Sequence, residues 1–245
     1  IYNEIEGKKT TPEEVIKTAK ENNCPSISYT YTEPAVFSEF SLECMKLAKK
    51  EKIKNVWVTN GFWSRELFEK IADFVDAANV DLKFFSDENY KKVCGARLEP
   101  VLDTIKRLKE KRIWIEITSL IIPTINDKEE VFDGIAQFIA DLGEETPWHI
   151  SRFTGIISWK LTHLPDTPPD TLQTAKRIGK EKGLKYVYIG NLPENNNQNT
   201  FCPRCGTLAI ERFLYNIKRY DKKGNHFEIL VDPKAVEQVF SQHWI

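Results

Sequence analysis

The chain has 245 residues, with 35 Lys and Arg against 36 Asp and Glu and a formal net charge of −1. That balance gives no electrostatic basis for nucleic acid or an acidic membrane surface as partner, and no apolar run reaches the roughly 20 residues of a membrane span. Five cysteines, odd in number and mostly scattered, do not make a disulfide framework, so a reducing, cytoplasmic setting is expected.

The chain opens at Ile1 with no secretory pattern, and Met45 is its only methionine. It therefore reads as part of a longer chain. Thr11-Pro12-Glu13-Glu14 has the form of a helix start, with a hydroxyl cap, a proline at the first helical position and a glutamate at the third. Ser26 to Tyr31 reads as a strand, and Pro34 forbids its continuation inside a sheet. Phe37, Phe40, Cys44 and Leu47 then recur at helical spacing. Lys54 to Thr59 predicts a strand, and Ser64 caps a helix with Leu67, Ile71 and Phe74 on its apolar face. Ala78 to Leu82 is a strand, Leu98 to Leu108 a helical stripe, and Arg112 to Ile122 a long β run. Val131 to Leu142 forms the next helix, ended by Gly143, with Asn126 or Asp127 as its expected N-cap. Pro147 to Phe153 holds a strand, Thr167-Pro168-Pro169-Asp170 caps a helix through Lys182, and Lys185 to Ile189 is the last strand of the series.

Six strands, each preceded by a helix, imply parallel pairing with right-handed crossovers. The short apolar runs are those expected of strands covered on both faces. A repeat of roughly 30 residues fits a (β/α) barrel, with a doubly wound open sheet as the alternative. The first helix has no strand before it. After Ile189 the texture turns to a polar loop, then "FCPRCG", a β-leaning tail around Ile217 and Ile229, and a short terminal helix in "VDPKAVEQVF". The expected division is a barrel over residues 1–191 and a loop and extension over residues 192–245.

In parallel α/β folds ligands bind at the carboxyl ends of the strands. Every strand end here is polar: Thr32 and Glu33, Thr59 and Asn60, Asp81 and Lys83, Thr124, Asn126 and Asp127, His149 and Arg152, and Asn191. Individually these are helix starts, turns, an internal salt bridge or a hydrogen-bonded core histidine. Together they suit a zwitterionic ligand, carboxylates for an ammonium and Lys or Arg for a carboxylate. No P-loop or GxGxxG is present. Cys202 and Cys205 form a Cys-x2-Cys pair, half of a structural zinc or iron site, with His226 and His243 as loosely spaced further ligands. An auxiliary iron–sulfur cluster or a fortuitous pair of thiols are the alternatives. Cys24, Cys44 and Cys94 are expected to be buried.

"YTYTEP", "VTNG", "DAANVDLK", "CGARLEPVLDTI", "IIPTIND", "PWHISRF", "LTHLP", "YIGN" and "NTFCPRCG" occur in this order. As a set, from about Thr10 to Gly206, they resemble the radical S-adenosylmethionine (SAM) enzymes called AmmeMemoRadiSam, which are similar to pyruvate formate-lyase activating enzymes. The resemblance implies a partial (β/α)6 barrel that binds SAM and a [4Fe–4S] cluster. It implies that an external donor such as ferredoxin or flavodoxin reduces the cluster, SAM is cleaved to methionine and a 5′-deoxyadenosyl radical, and the radical abstracts hydrogen from a substrate. Thr32-Glu33-Pro34 matches the glycine-glycine-glutamate motif, which holds the methionine amino group. Asp81 and Lys83 match the Asp-Leu-Lys motif near the methionyl moiety. Val58 stands where the activating enzymes have aspartate. The signature Cys-x3-Cys-x2-Cys is absent, and "IYNEIEG" resembles the stretch just downstream of it, so the cluster loop and its strand are expected upstream of Ile1. The rival readings are a two-electron barrel enzyme with Lys83 as Schiff-base nucleophile, a non-catalytic SAM-binding scaffold, and a nucleic-acid module on the Cys-x2-Cys tail. The substrate, small molecule or protein, is not legible.

Overall fold

The structure is a computed structural model and describes residues 9–192, 197–213 and 216–220. The first helix, α1 (Pro12–Glu21), begins with the expected capping box: Thr11 Oγ1 accepts from Glu14 N, and Glu14 Oε2 accepts from Thr11 N at 3.0 Å. Six parallel strands follow: β1 (Ser26–Tyr29), β2 (Lys54–Thr59), β3 (Ala77–Asp81), β4 (Trp114–Ile121), β5 (Trp148–Arg152) and β6 (Val187–Gly190). They lie side by side in chain order. Sequential order is what repeated right-handed crossovers on one side of a sheet produce. It is the order of a partial barrel and excludes the doubly wound alternative, whose strand order reverses at a switch point.

The crossovers carry α2 (Ser38–Lys50), α3 (Arg65–Ile71), a single turn α4 (Asp87–Asn89) running into a π turn over Tyr90–Cys94, α5 (Leu98–Glu110), α6 (Glu129–Leu142) and α7 (Pro169–Glu181). Ser64 caps α3 as expected, accepting from Leu67 N at 3.1 Å. Two other expected caps are not made. Lys128, not Asn126 or Asp127, stands at the N-cap of α6, and Pro168 stands at that of α7 without a side-chain bond. Asn126 and Thr167 are buried and bond to strand ends distant in sequence. Asn126 Nδ2 donates to Lys83 O and Leu120 O, and Asn126 Oδ1 accepts from Ile122 N. Thr167 Oγ1 donates to Ile121 O and accepts from Phe153 N. Each satisfies backbone groups at the carboxyl end of the sheet that would otherwise be buried unpaired.

Because in-register residues of parallel strands share a face, the pairing sorts the side chains. One face carries Trp57, Val80, Ile117, Ile150 and Ile189, all essentially fully buried against the helices. The other carries Val58, Asn79, Glu116, Thr118, His149 and Tyr188 in adjacent rows. That second face is largely polar: Asn79 and Glu116 are buried on it, and Val58, Thr118, His149 and Tyr188 are partly exposed, while β3 over residues 77–80 is covered on both sides as expected. Beyond β6, Ile189 N donates to Asn197 O at 3.1 Å, and the chain forms an antiparallel sheet of β7 (Thr200–Phe201), β8 (Leu208–Phe213) and β9 (Asn216–Tyr220). The expected terminal helix, Ile229, His226 and His243 lie outside the described residues. No described helix is long and apolar enough to cross a membrane.

Candidate functional site at the strand carboxyl ends

Glu33 leaves β1 as the N-cap of a 3-10 turn over Pro34–Phe37. Its carboxylate is heavily used within the chain. Oε1 accepts from Ala35 N at 3.2 Å and Thr59 Oγ1 at 2.6 Å, and Oε2 accepts from Asn60 N at 2.7 Å. A carboxylate offers about four acceptor positions, so little capacity is left for a ligand. Thr59 itself is saturated, since its Oγ1 also accepts from Gly61 N at 3.1 Å and Trp63 Nε1 at 2.9 Å. Asn60 Oδ1 accepts from Phe62 N at 2.8 Å. The ends of β1 and β2 are thus one hydrogen-bonded unit, with Thr32 exposed at its surface.

At the end of β3, Lys83 Nζ lies 2.7 Å from Asp81 Oδ2. The spacing argument offered an internal salt bridge or a ligand-facing pair. The pair is an ion pair and is still about a third exposed on both sides, 37% and 33%. Tyr90 from the π turn supports it by accepting from Lys83 N at 3.1 Å, and burial raises the Tyr90 phenol well above its ordinary value. Cys94, expected to be buried, is exposed as the last residue of the π turn, which Gly95 closes at φ 63°. Cys24 is half-buried and Cys44 is buried, its thiol pushed up by burial to about 11.

On the partly open face, His149 Nε2 and Glu116 Oε2 lie 2.7 Å apart, the ring nitrogen donating to the carboxylate. Trp114 Nε1 donates to the other Glu116 oxygen at 3.1 Å. The imidazole stacks on Tyr188 at 5.2 Å, and Tyr188 OH lies 2.9 Å from Thr200 Oγ1 of the terminal sheet. Burial pushes the Tyr188 phenol up to about 12. Beside this pair, Thr118 Oγ1 donates to Asn79 Oδ1 at 2.7 Å. Arg152 turns away from these groups: its Nε donates to Thr167 O at 3.0 Å and its guanidinium pairs with Asp166 at 3.2 Å. Asn191, at φ 58°, donates to Arg152 O at 3.4 Å.

The strand ends therefore bring Glu33, Thr59 and Asn60 into one cluster and Asp81 and Lys83 into a second. His149 joins Glu116 in a third, while Arg152 and Asn191 form the rim at β5 and β6. Glu116, Asn79 and Tyr188 escaped the sequence reading. The available signal was alternation inside strands, because Asn79/Asp81 and Glu116/Thr118 follow the same two-residue spacing as His149/Ser151.

In the terminal segment, Cys202 is buried and Cys205 exposed, with Gly206 at φ 71° closing the turn and Cys205 Sγ donating to Thr207 Oγ1 at 3.2 Å. Among the described residues no three His, Cys, Asp or Glu side chains are grouped to hold a metal. The sequence has no Cys-x3-Cys-x2-Cys, and its other thiols lie on separate elements. These residues do not fit a [4Fe–4S] cluster. The donor set at the strand ends does fit the methionyl group of SAM, because a carboxylate and an ammonium are both partly accessible at Asp81 and Lys83.

Comparison with known proteins places this geometry in a family. The uncharacterized protein MJ0808 of Methanocaldococcus jannaschii is 47% identical over 216 residues, covering 88% of this chain and 63% of that protein. Pyruvate formate-lyase 1-activating enzyme of Escherichia coli K12 is 24% identical over 162 residues, covering 62% of this chain and 66% of that enzyme. The chain thus spans less than two thirds of either relative. Among solved structures, a domain of pyruvate-formate lyase-activating enzyme from Bacteroides vulgatus superposes with a TM-score of 0.59 at 19% identity, covering 67% of this chain and 98% of that one. SuiB of Streptococcus suis bound to S-adenosylmethionine gives 0.56 at 14% identity, covering 73% and 41%. At such identities these two show a shared fold. The family model described as Radical SAM superfamily matches residues 2–135, more than half of the sequence, and the chain belongs to that superfamily.

Proposed function

We propose that this chain is the SAM-binding and substrate-facing part of an enzyme that cleaves SAM reductively and abstracts hydrogen from a substrate, in the manner of activating enzymes. Membership of the superfamily carries the reading, and the polar strand ends supply the means. In this chemistry one electron delivered to the SAM sulfonium breaks the sulfur–C5′ bond, releasing methionine and a 5′-deoxyadenosyl radical that takes a hydrogen atom from a C–H bond. The chain's residues bind, orient and exclude water. Asp81 and Lys83 receive the methionyl ammonium and carboxylate. Glu33, Thr59 and Asn60 hold the β1 and β2 loops around it, with Thr32 at their surface. His149 presents its ring to the same cleft, and Arg152 and Asn191 shape the rim.

The division at residue 191 and a metal at Cys202 and Cys205, zinc or iron, belong to the same proposal, as do a cytoplasmic setting and an external electron donor such as ferredoxin or flavodoxin. The thiolates for a [4Fe–4S] cluster are not among these residues, so the chain is assigned the SAM side of the reaction only. The test is to express the chain together with any sequence that flanks it, reconstitute it with iron and sulfide, and reduce it in the presence of SAM. Equimolar 5′-deoxyadenosine and methionine are expected. A reduced cluster that produces neither overturns the proposal.

A further inference from the structure

Asn79 lies within β3, between the buried Ala78 and Val80, and is 4% exposed. A buried amide is costly unless both of its ends are met. One end is met: Oδ1 accepts from Thr118 Oγ1 at 2.7 Å. The other is not. Nδ2 has no hydrogen-bond partner among the described residues. Packing does not seal it in either, because it keeps some accessible surface.

The strand register identifies the space that Nδ2 borders. Asn79 is in register with Val58 on β2 and Glu116 on β4. Asp81, two residues on, is in register with Thr118, and Thr118 with His149. All of these side chains share the polar face of the sheet. Asn79 thus lies about 7 Å from Asp81 toward the amino end of β3, two residues at the rise of a strand. It stands at the floor of the cleft whose rim carries Asp81 and Lys83.

Charge decides what this floor receives. Glu116 is buried beside Asn79, and its two oxygens already accept from Trp114 Nε1 at 3.1 Å and His149 Nε2 at 2.7 Å. Asp81 holds Lys83. A further anion beside these carboxylates is repelled, and burial strengthens the repulsion. A cation finds both carboxylates engaged and meets an amide nitrogen that, like itself, only donates. An uncharged oxygen fits: a hydroxyl or carbonyl accepts from Asn79 Nδ2, and a hydroxyl can also donate to Thr118 Oγ1, which has acceptor capacity left.

We propose that Asn79, with Thr118 beside it, is a substrate-recognition residue that binds an uncharged hydroxyl or carbonyl group of a small molecule at the floor of the cleft, deeper than the methionyl group. This rests on the reading that the cleft takes SAM at its rim and substrate beyond it. The experiment requires neither SAM cleavage nor a cluster, so its failure and the failure of that reading are separate results.

Heteronuclear NMR follows the Asn79 side-chain amide, assigned by its loss in Asn79→Leu, which keeps the size and removes the donor. Asn79→Ser serves if the leucine variant loses its native circular dichroism. The probes are a panel of small alcohols, ketones and neutral amides, with size-matched carboxylates and amines. Neutral probes are expected to shift the Asn79 amide and to bind the variant roughly tenfold or more weakly. The charged probes are expected to leave it unmoved. A panel that shifts nothing overturns the proposal and leaves the amide to water alone. Equal binding to the variant, or a preference for carboxylates or amines, overturns it too. S-adenosylhomocysteine added alone tests the underlying reading, with shifts expected around Asp81 and Lys83. Its displacement of the neutral probes would assign Asn79 to the SAM site itself and overturn the proposal as well.

Discussion

Thr59 Oγ1 donates to Glu33 Oε1 at 2.6 Å, and that hydrogen bond joins the carboxyl end of β1 to that of β2. Glu33 is therefore first a clamp. Glu33→Gln places an amide NH2 against Asn60 N, itself a donor, in a half-buried site, where a donor left without an acceptor costs about 1 kcal/mol, the low end of the range for buried groups. The expected result is a loss of unfolding free energy of that size in urea titrations. A variant as stable as wild type would show that the clamp carries no stability and would return Glu33 to ligand binding alone.

Asp81 has a different balance. Its ion pair with Lys83 is about a third exposed, so removing the charge is expected to change stability by less than about 1 kcal/mol. A charge-assisted hydrogen bond to a ligand ammonium is worth more, about 1.5–3 kcal/mol. Asp81→Asn should weaken binding of S-adenosylhomocysteine, which carries the same methionyl group, by roughly tenfold to a hundredfold. Titration calorimetry reads this directly, and unchanged affinity would confine Asp81 to its ion pair.

Gly61 follows the clamp at φ 69°, and a Cβ there would stand 2.7 Å from Val80 Cγ1. Left-handed backbone costs a residue with a Cβ about 1–2 kcal/mol, and crowding of a packed core adds roughly 1–3 kcal/mol. Gly61→Ala is expected to be destabilising by about 2 kcal/mol or more. A thermal midpoint equal to wild type would contradict this.

Burial decides the thiol chemistry. Cys44 is fully buried, with its thiol raised to about 11. At pH 8 only about 0.1% of such a thiol is thiolate, the reactive form. Alkylation of the native protein at that pH should label Cys94, which is exposed, well before Cys44. Mass mapping of the labelled peptides checks the order, and early labelling of Cys44 would show that α2 opens readily.

Lys109 Nζ donates to Glu145 Oε1 at 2.7 Å and to Thr146 Oγ1 at 3.2 Å, tying α5 to the segment before β5. Burial alone would raise the Glu145 carboxyl, but the Lys109 bond and charge outweigh it and hold the group below its ordinary 4.5. A carboxyl lowered by folding contributes stability above its unfolded value and loses it as pH falls through the lowered one. Lys109→Met should therefore cost about 0.2–1 kcal/mol near neutral pH. The gap to wild type should close as pH drops below about 4.5, where the unfolded carboxyl takes up its proton. A gap that stays constant down to acid unfolding would assign the loss to packing of the lysine stem.

What the sequence determined by itself is local. Apolar periodicity, the Thr11-Pro12-Glu14 capping box and Ser64 set the helices, because those bonds close within a few residues. Polar residues at every strand end could be read the same way once strands were placed, as could the Asp81/Lys83 spacing. Tertiary structure alone decided the rest. Asn126 and Thr167 look like caps at short range, yet each is drawn to backbone groups of strands 43 and 46 residues away, where burial makes an unpaired carbonyl costly. Glu116 looks like a stray charge in an apolar strand until β5 brings His149 beside it, 33 residues along the chain. The strand order β1 to β6, and with it the partly open polar face, follows from every crossover passing on the same side of the sheet. Repeat length is the same whether helices cover one face or both, so only packing distinguishes the two.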